Sequence, residues 1–255
     1  MRPLRKPRPN NRRHLTLKAM TVCIAAACNQ GRHVVVATDG LLSYGGITAD
    51  VIHSKIRWLD DWLCMYAGEP SNTKMIFEEL HSVAREQRLT RANIKTFIRA
   101  AYQKRRDWVA ASRVLAGYDM NLDEFKKDGP TIFVQGEFER LSKELQQEGK
   151  CFAEQILVVG WGATEYATMI YEVSPDRDGD HADAGFTAIG SGAEVAIANL
   201  MLLEQGRQCS IDDTLYSVAS AKFAAEKSQD RDVGDRTTLY VAPLLSKLTA
   251  LEARG

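Results

Sequence analysis

From Val22 onward the chain is punctuated by short apolar runs, and their length and period separate strands from helices. Val22–Cys28 is almost wholly apolar and stops at Asn29-Gln30-Gly31, a turn signal; the valine-rich run His33–Thr38 follows. Two such runs across a short turn predict a buried β-hairpin. Ile56–Leu59 and Trp62–Tyr66 predict a second hairpin. The period then lengthens. Ile76, Leu80 and Val83 share one face of a helix that Ser71 is placed to cap. Ile94, Phe97, Ile98, Ala101 and Tyr102 form the stripe of a second helix, with Thr90 as its cap.

Residues 104–150 are charged and weakly periodic, with Asp128-Gly129-Pro130 inside them and a helix predicted over Glu137–Gln147. They read as an insertion or as an extension of a helical layer. Strand character returns at Gln155–Val159, Thr168–Val173 and Gly185–Ile189, and the acidic stretch Ser174–Asp183 reads as a solvated turn. Gly190-Ser191-Gly192 precedes a helix from Ala193 to about Glu204. Ser210 and Asp213 open another through Lys227 in the manner of a capping box. Thr237–Ala242 is a closing strand. Strands, two helices, strands, two helices and a strand fit an α+β fold in which two sheets face each other under a helix layer on each outer side. Residues 20–245 read as one domain, followed by a tail at 246–255.

Charge and cysteine content remove several function classes. The 33 basic and 33 acidic side chains balance, whereas a nucleic-acid binder carries a basic surface. Cys23, Cys28, Cys64, Cys151 and Cys209 are odd in number and lack C-x-x-C spacing. They predict neither a disulfide framework nor a zinc site, and they fit a reducing cytoplasm. Cys23 and Cys28 read as core. The histidines form no metal-ligand pair at helical spacing, so no metal or other cofactor is expected. No apolar run approaches the ~18 residues of a membrane span. Residues 1–19 differ from the rest: Arg2, Arg5, Lys6, Arg8, Arg12, Arg13 and Lys18 stand among three prolines, without an acid. They lack the apolar centre of a secretory signal. A disordered basic arm, a removable pro-segment and sequence upstream of a start at Met20 all remain open, with a transit peptide a fourth reading.

The residues with candidate chemistry form a pattern. Met20-Thr21-Val22-Cys23-Ile24-Ala25, then Val34-Val35-Val36-Ala37-Thr38-Asp39-Gly40, resembles the opening of proteasome β-type subunits of the N-terminal-nucleophile hydrolases, in their bacterial form. That family begins its first strand with threonine, ends its second with aspartate, and has Lys-Ile sixteen residues later; Asp39 and Lys55-Ile56 stand so here. Ala67-Gly68 matches the Ala-Gly pair that ends the next hairpin, within one residue. Gly190-Ser191-Gly192 matches the G-S-G before a helix. The resemblance runs over nearly all of Thr21–Ala242. Between Gly68 and Ser191 this chain is roughly forty residues longer, a large insert for a compact domain.

The resemblance implies a four-layer αββα sandwich and a threonine peptidase in a homo-oligomeric ring, acting on peptides or unfolded protein. An ATP-dependent unfoldase is an implied partner. Thr21 would be the nucleophile, Asp39 would hold Lys55, Gly68 would donate to the oxyanion, and Ser191 would relay a proton. The chemistry is reasonable by itself. A threonine hydroxyl needs a base, and a free α-amine with a pKa of ~7.7–8.0 is partly neutral at cell pH. A neighbouring Lys55 ammonium lowers that value further by repulsion. The family's site aspartate precedes a Ser-Gly pair; aligning glycines in Asp230-Arg231-Asp232-Val233-Gly234 selects Asp230, puts Val233 in place of the serine, and leaves Asp232 as an alternative. Met20 stands where self-cleaving members have glycine, so initiation there and removal of the methionine would expose Thr21. His53, Arg57 and Tyr66 occupy the pocket-lining positions and imply a narrow, partly basic pocket for small or acidic side chains.

Each residue also has a plain structural reading. Thr21 is a strand former, Asp39 a turn residue, Lys55 a solvated strand end, Gly68 a tight turn and Ser191 a helix cap. Two other functions fit the same fold: a non-catalytic, α-type ring subunit and a small-molecule amidohydrolase.

Overall fold

The structure is a computed structural model, which describes residues 21–44, 47–50, 55–161, 168–175, 178–228 and 236–243. The strands are β1 (Cys23–Cys28), β2 (His33–Asp39), β3 (Leu41–Tyr44), β4 (Ile47–Asp50), β5 (Ile56–Leu59), β6 (Trp62–Ala67), β7 (Gln155–Trp161), β8 (Thr168–Val173), β9 (Asp178–Asp180), β10 (Phe186–Ile189) and β11 (Thr237–Pro243). The helices are α1 (Pro70–Glu86), α2 (Ile94–Val114), α3 (Leu122–Ile132), α4 (Gln135–Lys150), α5 (Ala193–Leu202) and α6 (Ile211–Ser228). One sheet has the order β10-β1-β2-β11 and the other β5-β6-β7-β8-β9, while β3 and β4 pair with each other. All the pairings are antiparallel.

Side chains alternate across a strand, and this explains why the strands read as continuous apolar runs. Cys23, Ala25 and Ala27 of β1 pack with Leu63 and Met65 of β6 and Leu157 and Val159 of β7. The residues between them, Ile24, Ala26 and Cys28, pack with Ala196 and Leu200 of α5 and Val218 and Ala221 of α6. β6 and β7 behave alike: Cys64, Tyr66, Ile156 and Val158 turn to Ile76 and Leu80 of α1 and Ile98 and Tyr102 of α2. A strand buried on both faces has no polar side to display.

The stretch 104–150 is helical rather than irregular. The second half of α2 with α3 and α4 encloses its own small core of Ala111, Leu115, Phe125 and Leu141. The rings of Phe125 and Phe138 stack at 4.9 Å. Asp128-Gly129-Pro130 lies inside α3, not in a turn. The ring of Phe138 would sit 3.0 Å from a Cβ at residue 129, so glycine there permits the close approach of α4.

Two caps differ from expectation. α1 starts at Pro70 with Glu69 as its N-cap, so Ser71 lies inside the helix. Proline suits this first position because its missing N–H would have no helical partner. α2 starts after Asn93, whose Oδ1 accepts from the Thr90 N–H at 2.7 Å. The Ser210 cap is present: its Oγ accepts from Asp213 N–H at 3.1 Å. The acidic stretch after β8 contains β9, paired as Tyr171 with Asp180. Among the described residues, no helix is long and apolar enough to cross a membrane.

Candidate active site

Thr21 stands at the mouth of β1, and the β1–β2 hairpin brings Asp39 to it. The register pairs Cys23 with Thr38, so the end of β2 meets the residues just before β1. Asp39 Oδ2 accepts from the Val22 N–H at 3.0 Å, and Asp39 N–H donates to Val22 O at 3.3 Å. Lys55, just before β5, enters from the facing sheet. Its Nζ donates to both Thr21 Oγ1 and Asp39 Oδ1. Lys55 is 2% exposed and Asp39 fully buried. A solvated strand end is therefore not what Lys55 is: its ammonium is a buried charge held by a carboxylate and a hydroxyl. Such a pair tolerates burial only when both charges are hydrogen-bonded.

Ser191 closes the cluster from the loop between β10 and α5. Its Oγ accepts from Thr21 N at 3.2 Å and donates to Thr21 O at 3.4 Å. Gly192 N–H donates to the same carbonyl at 3.2 Å. The cap of α5 is Gly192, which makes no side-chain bond, so the helix-cap reading of Ser191 falls. Gly190 has φ +98°, and a Cβ there would overlap the Thr21 carbonyl; only glycine lets this loop lie against Thr21.

Gly68 follows β6 with φ +132°. Two residues earlier, Tyr66 O accepts from the Cys23 thiol at 3.3 Å, which ties the end of β6 to the start of β1. Burial pushes the Cys23 thiol up to about 12, so it stays protonated and is a core group beside the cluster. Arg57 stands over the Tyr66 ring, 5.6 Å from its centroid, and Tyr66 packs edge-on to Phe77. Thr21, Asp39, Lys55 and Ser191 are thus brought together, and Arg57 and Tyr66 form a neighbouring pair. His53, Asp230 and Asp232 lie outside the described residues.

The sequence matches no protein-family model and no curated relative. Solved structures do match. HslV from Trypanosoma brucei superposes with a TM-score of 0.52 at 16% identity, covering 88% of this chain and 99% of that one. Anbu, an ancestral β-subunit from Yersinia bercovieri, gives 0.53 at 14% identity, covering 88% and 82%. The fold is proteasome-like.

Within this proteasome-like fold, one residue near Gly68 escaped the reading of the sequence. Glu154, just before β7, is 4% exposed. Its Oε2 accepts from the Glu69 N–H at 2.7 Å, and its Oε1 from Asn72 Nδ2 at 2.9 Å. A Cβ on Gly68 would overlap Oε2, so the carboxylate fills the space a side chain at 68 would need. The signal was present: Glu154 precedes Ile156 and Val158 at period two, an acid in line with the face that packs on α1 and α2.

Burial pushes the Glu154 carboxyl up to about 7, against 4.5 ordinarily; Glu69 adds to the rise, while Asn72, the Glu69 N–H and Arg105 oppose it. Between those values the folded chain holds a proton that the unfolded chain has released. Stability therefore falls as pH rises from about 4.5 to about 7. A gap of this size corresponds to about 3 kcal/mol at most. Relative to the wild type, Glu154→Gln, which is neutral at every pH, should gain about 1–3 kcal/mol of stability between pH 4 and pH 8, whatever the fixed cost of setting its amide N–H against a donor. Urea denaturation at the two pH values measures it, and an equal difference at both would contradict the assignment.

Among the described residues, no group of three or more His, Cys, Asp or Glu side chains could hold a metal ion.

Proposed function

We propose that this chain is a threonine peptidase that works through an acyl-enzyme formed on Thr21, in a four-layer αββα sandwich spanning residues 20–245. The observation that carries this reading is the buried Lys55 ammonium, donating at once to the Thr21 hydroxyl and the Asp39 carboxylate. With Thr21 first in the mature chain, its α-amine takes the proton from Oγ1, relayed by Ser191. Lys55 lowers the basicity of that amine by repulsion and steadies the alkoxide. Asp39, held by the Val22 N–H, keeps Lys55 in place. The alkoxide attacks the scissile carbonyl, and the new oxyanion takes a hydrogen bond from the Gly68 N–H. The amine, now protonated, delivers its proton to the leaving nitrogen as the C–N bond breaks. Water then hydrolyses the ester, with the same amine as base. Asp230 would hold the amine, and His53, Arg57 and Tyr66 would line the pocket for the substrate side chain.

A ring of copies in the cytoplasm, served by an unfoldase, is the assembly this reading expects. Exposed Met201 and Leu202 at the end of α5, with Tyr216 and Phe223 on α6, supply apolar surface of the kind subunit neighbours cover.

Intact mass and N-terminal sequencing of protein made from the native gene test the proposal. The mature chain is expected to begin at Thr21. Retention of residues 1–20 in the assembled protein would leave no free amine at Thr21 and would favour a non-catalytic ring subunit.

A further inference from the structure

Glu154 and Gln155 are adjacent in sequence, yet they brace opposite walls of the site. Gln155 Oε1 accepts from the Gly190 N–H at 2.6 Å, in the loop that carries Ser191. Glu154 Oε2 accepts from the Glu69 N–H at 2.7 Å, on the peptide that follows Gly68. The carboxylate is itself anchored. Asn72 in the first turn of α1 donates to its other oxygen, and Asn72 Oδ1 accepts from Arg105 Nε of α2 at 3.1 Å. The Tyr102 hydroxyl of α2 donates to the Glu154 carbonyl at 2.9 Å. An apolar or amide side chain would fill this space without the cost of burying a charge.

We propose that Glu154 is a positioning residue for the reaction: its carboxylate locks the Gly68–Glu69 peptide so that the Gly68 N–H meets the oxyanion as it forms. The inference rests on Thr21 as nucleophile and Gly68 as oxyanion donor. Among the described residues, the two groups that hydrogen-bond to the carboxylate are both donors, and only the ionised form satisfies both. Protonation turns one acceptor oxygen into a donor facing a donor, and the lock loosens. The charged groups about it are the Glu69 carboxylate on the same turn and the Arg105 guanidinium on α2. Its titration near neutrality puts that loosening in the range where the Thr21 amine also gains its proton. The acid limb of turnover then carries two protonations, not one.

The test compares the mature wild type with Glu154→Ala and Glu154→Gln, using a fluorogenic peptide between pH 5.5 and 9. Glu154→Ala is expected to lower kcat at least about tenfold with KM within about threefold, since a misaimed donor weakens the transition state more than the ground state. Glu154→Gln, which keeps the shape, should recover at least about threefold of that loss at pH 8. In a plot of log kcat against pH, the acid limb should be steeper in the wild type than in Glu154→Gln, where the amine alone titrates. A kcat in Glu154→Ala within about twofold of an active wild type, or equal limbs in wild type and Glu154→Gln, overturns the inference and leaves the peptidase standing. If Glu154→Ala does not fold, the limbs alone decide. A mature wild type without turnover removes the peptidase reading, and this inference with it.

Discussion

Mature protein carrying Thr21→Ala is expected to lose peptide turnover by at least about a thousandfold while keeping its fold and assembly. The hydroxyl is the only group on this side chain that can attack, and the nearest thiol does not replace it. Cys23, two residues on, is buried, donates its proton to Tyr66 O and stays a thiol. The structural cost is limited. Thr21 Oγ1 accepts one bond from Lys55, which keeps its Asp39 partner; losing such a bond to a charged group costs about 1.5–3 kcal/mol. Turnover of a fluorogenic peptide and size-exclusion chromatography read the two effects separately. Residual turnover near the wild-type level would move the nucleophile elsewhere in the molecule.

Lys55→Ala should damage both rate and stability. It strips the ammonium from Asp39, which is fully buried and is also held by the Val22 N–H. Breaking a buried pair from one side typically costs about 3–5 kcal/mol, because a charge is left without compensation. Removing both charges should be gentler. In Lys55→Met with Asp39→Asn, the amide can still accept from Val22, no ion is stranded, and most of the lost stability should return. Turnover should not return, because the hydroxyl and amine of Thr21 still lack the ammonium. Urea denaturation and kcat for the two single variants and the double variant measure this cycle. Recovery of rate together with stability would show that Lys55 is structural.

The site was unevenly legible from sequence, and locality explains the unevenness. Thr21 and Asp39 are joined by one hairpin, so a turn of known length sets which residue opposes which. Lys55 and Ser191 were candidates by spacing and resemblance, but no local rule separates a solvated lysine from a buried one, or a helix cap from a residue that binds Thr21. β9 was missed because Asp178-Gly179-Asp180 has poor strand propensity; it is a strand because the edge of β8 offers it partners. α3 was missed because Gly129-Pro130 reads as a breaker, although Gly129 serves the packing of α4.

The periodicities determined by themselves where strands and helices lie in most of the chain, because a strand buried on both faces and an amphipathic helix each impose a repeat on the residues that build them. The tertiary structure alone decided that Glu154 meets the turn after Gly68, 85 residues apart from Glu69 in the chain, and that Lys55 is desolvated between Thr21 and Asp39. Burial and charge pairing depend on what surrounds a group in space, and those surroundings exist only once the two sheets have closed on each other.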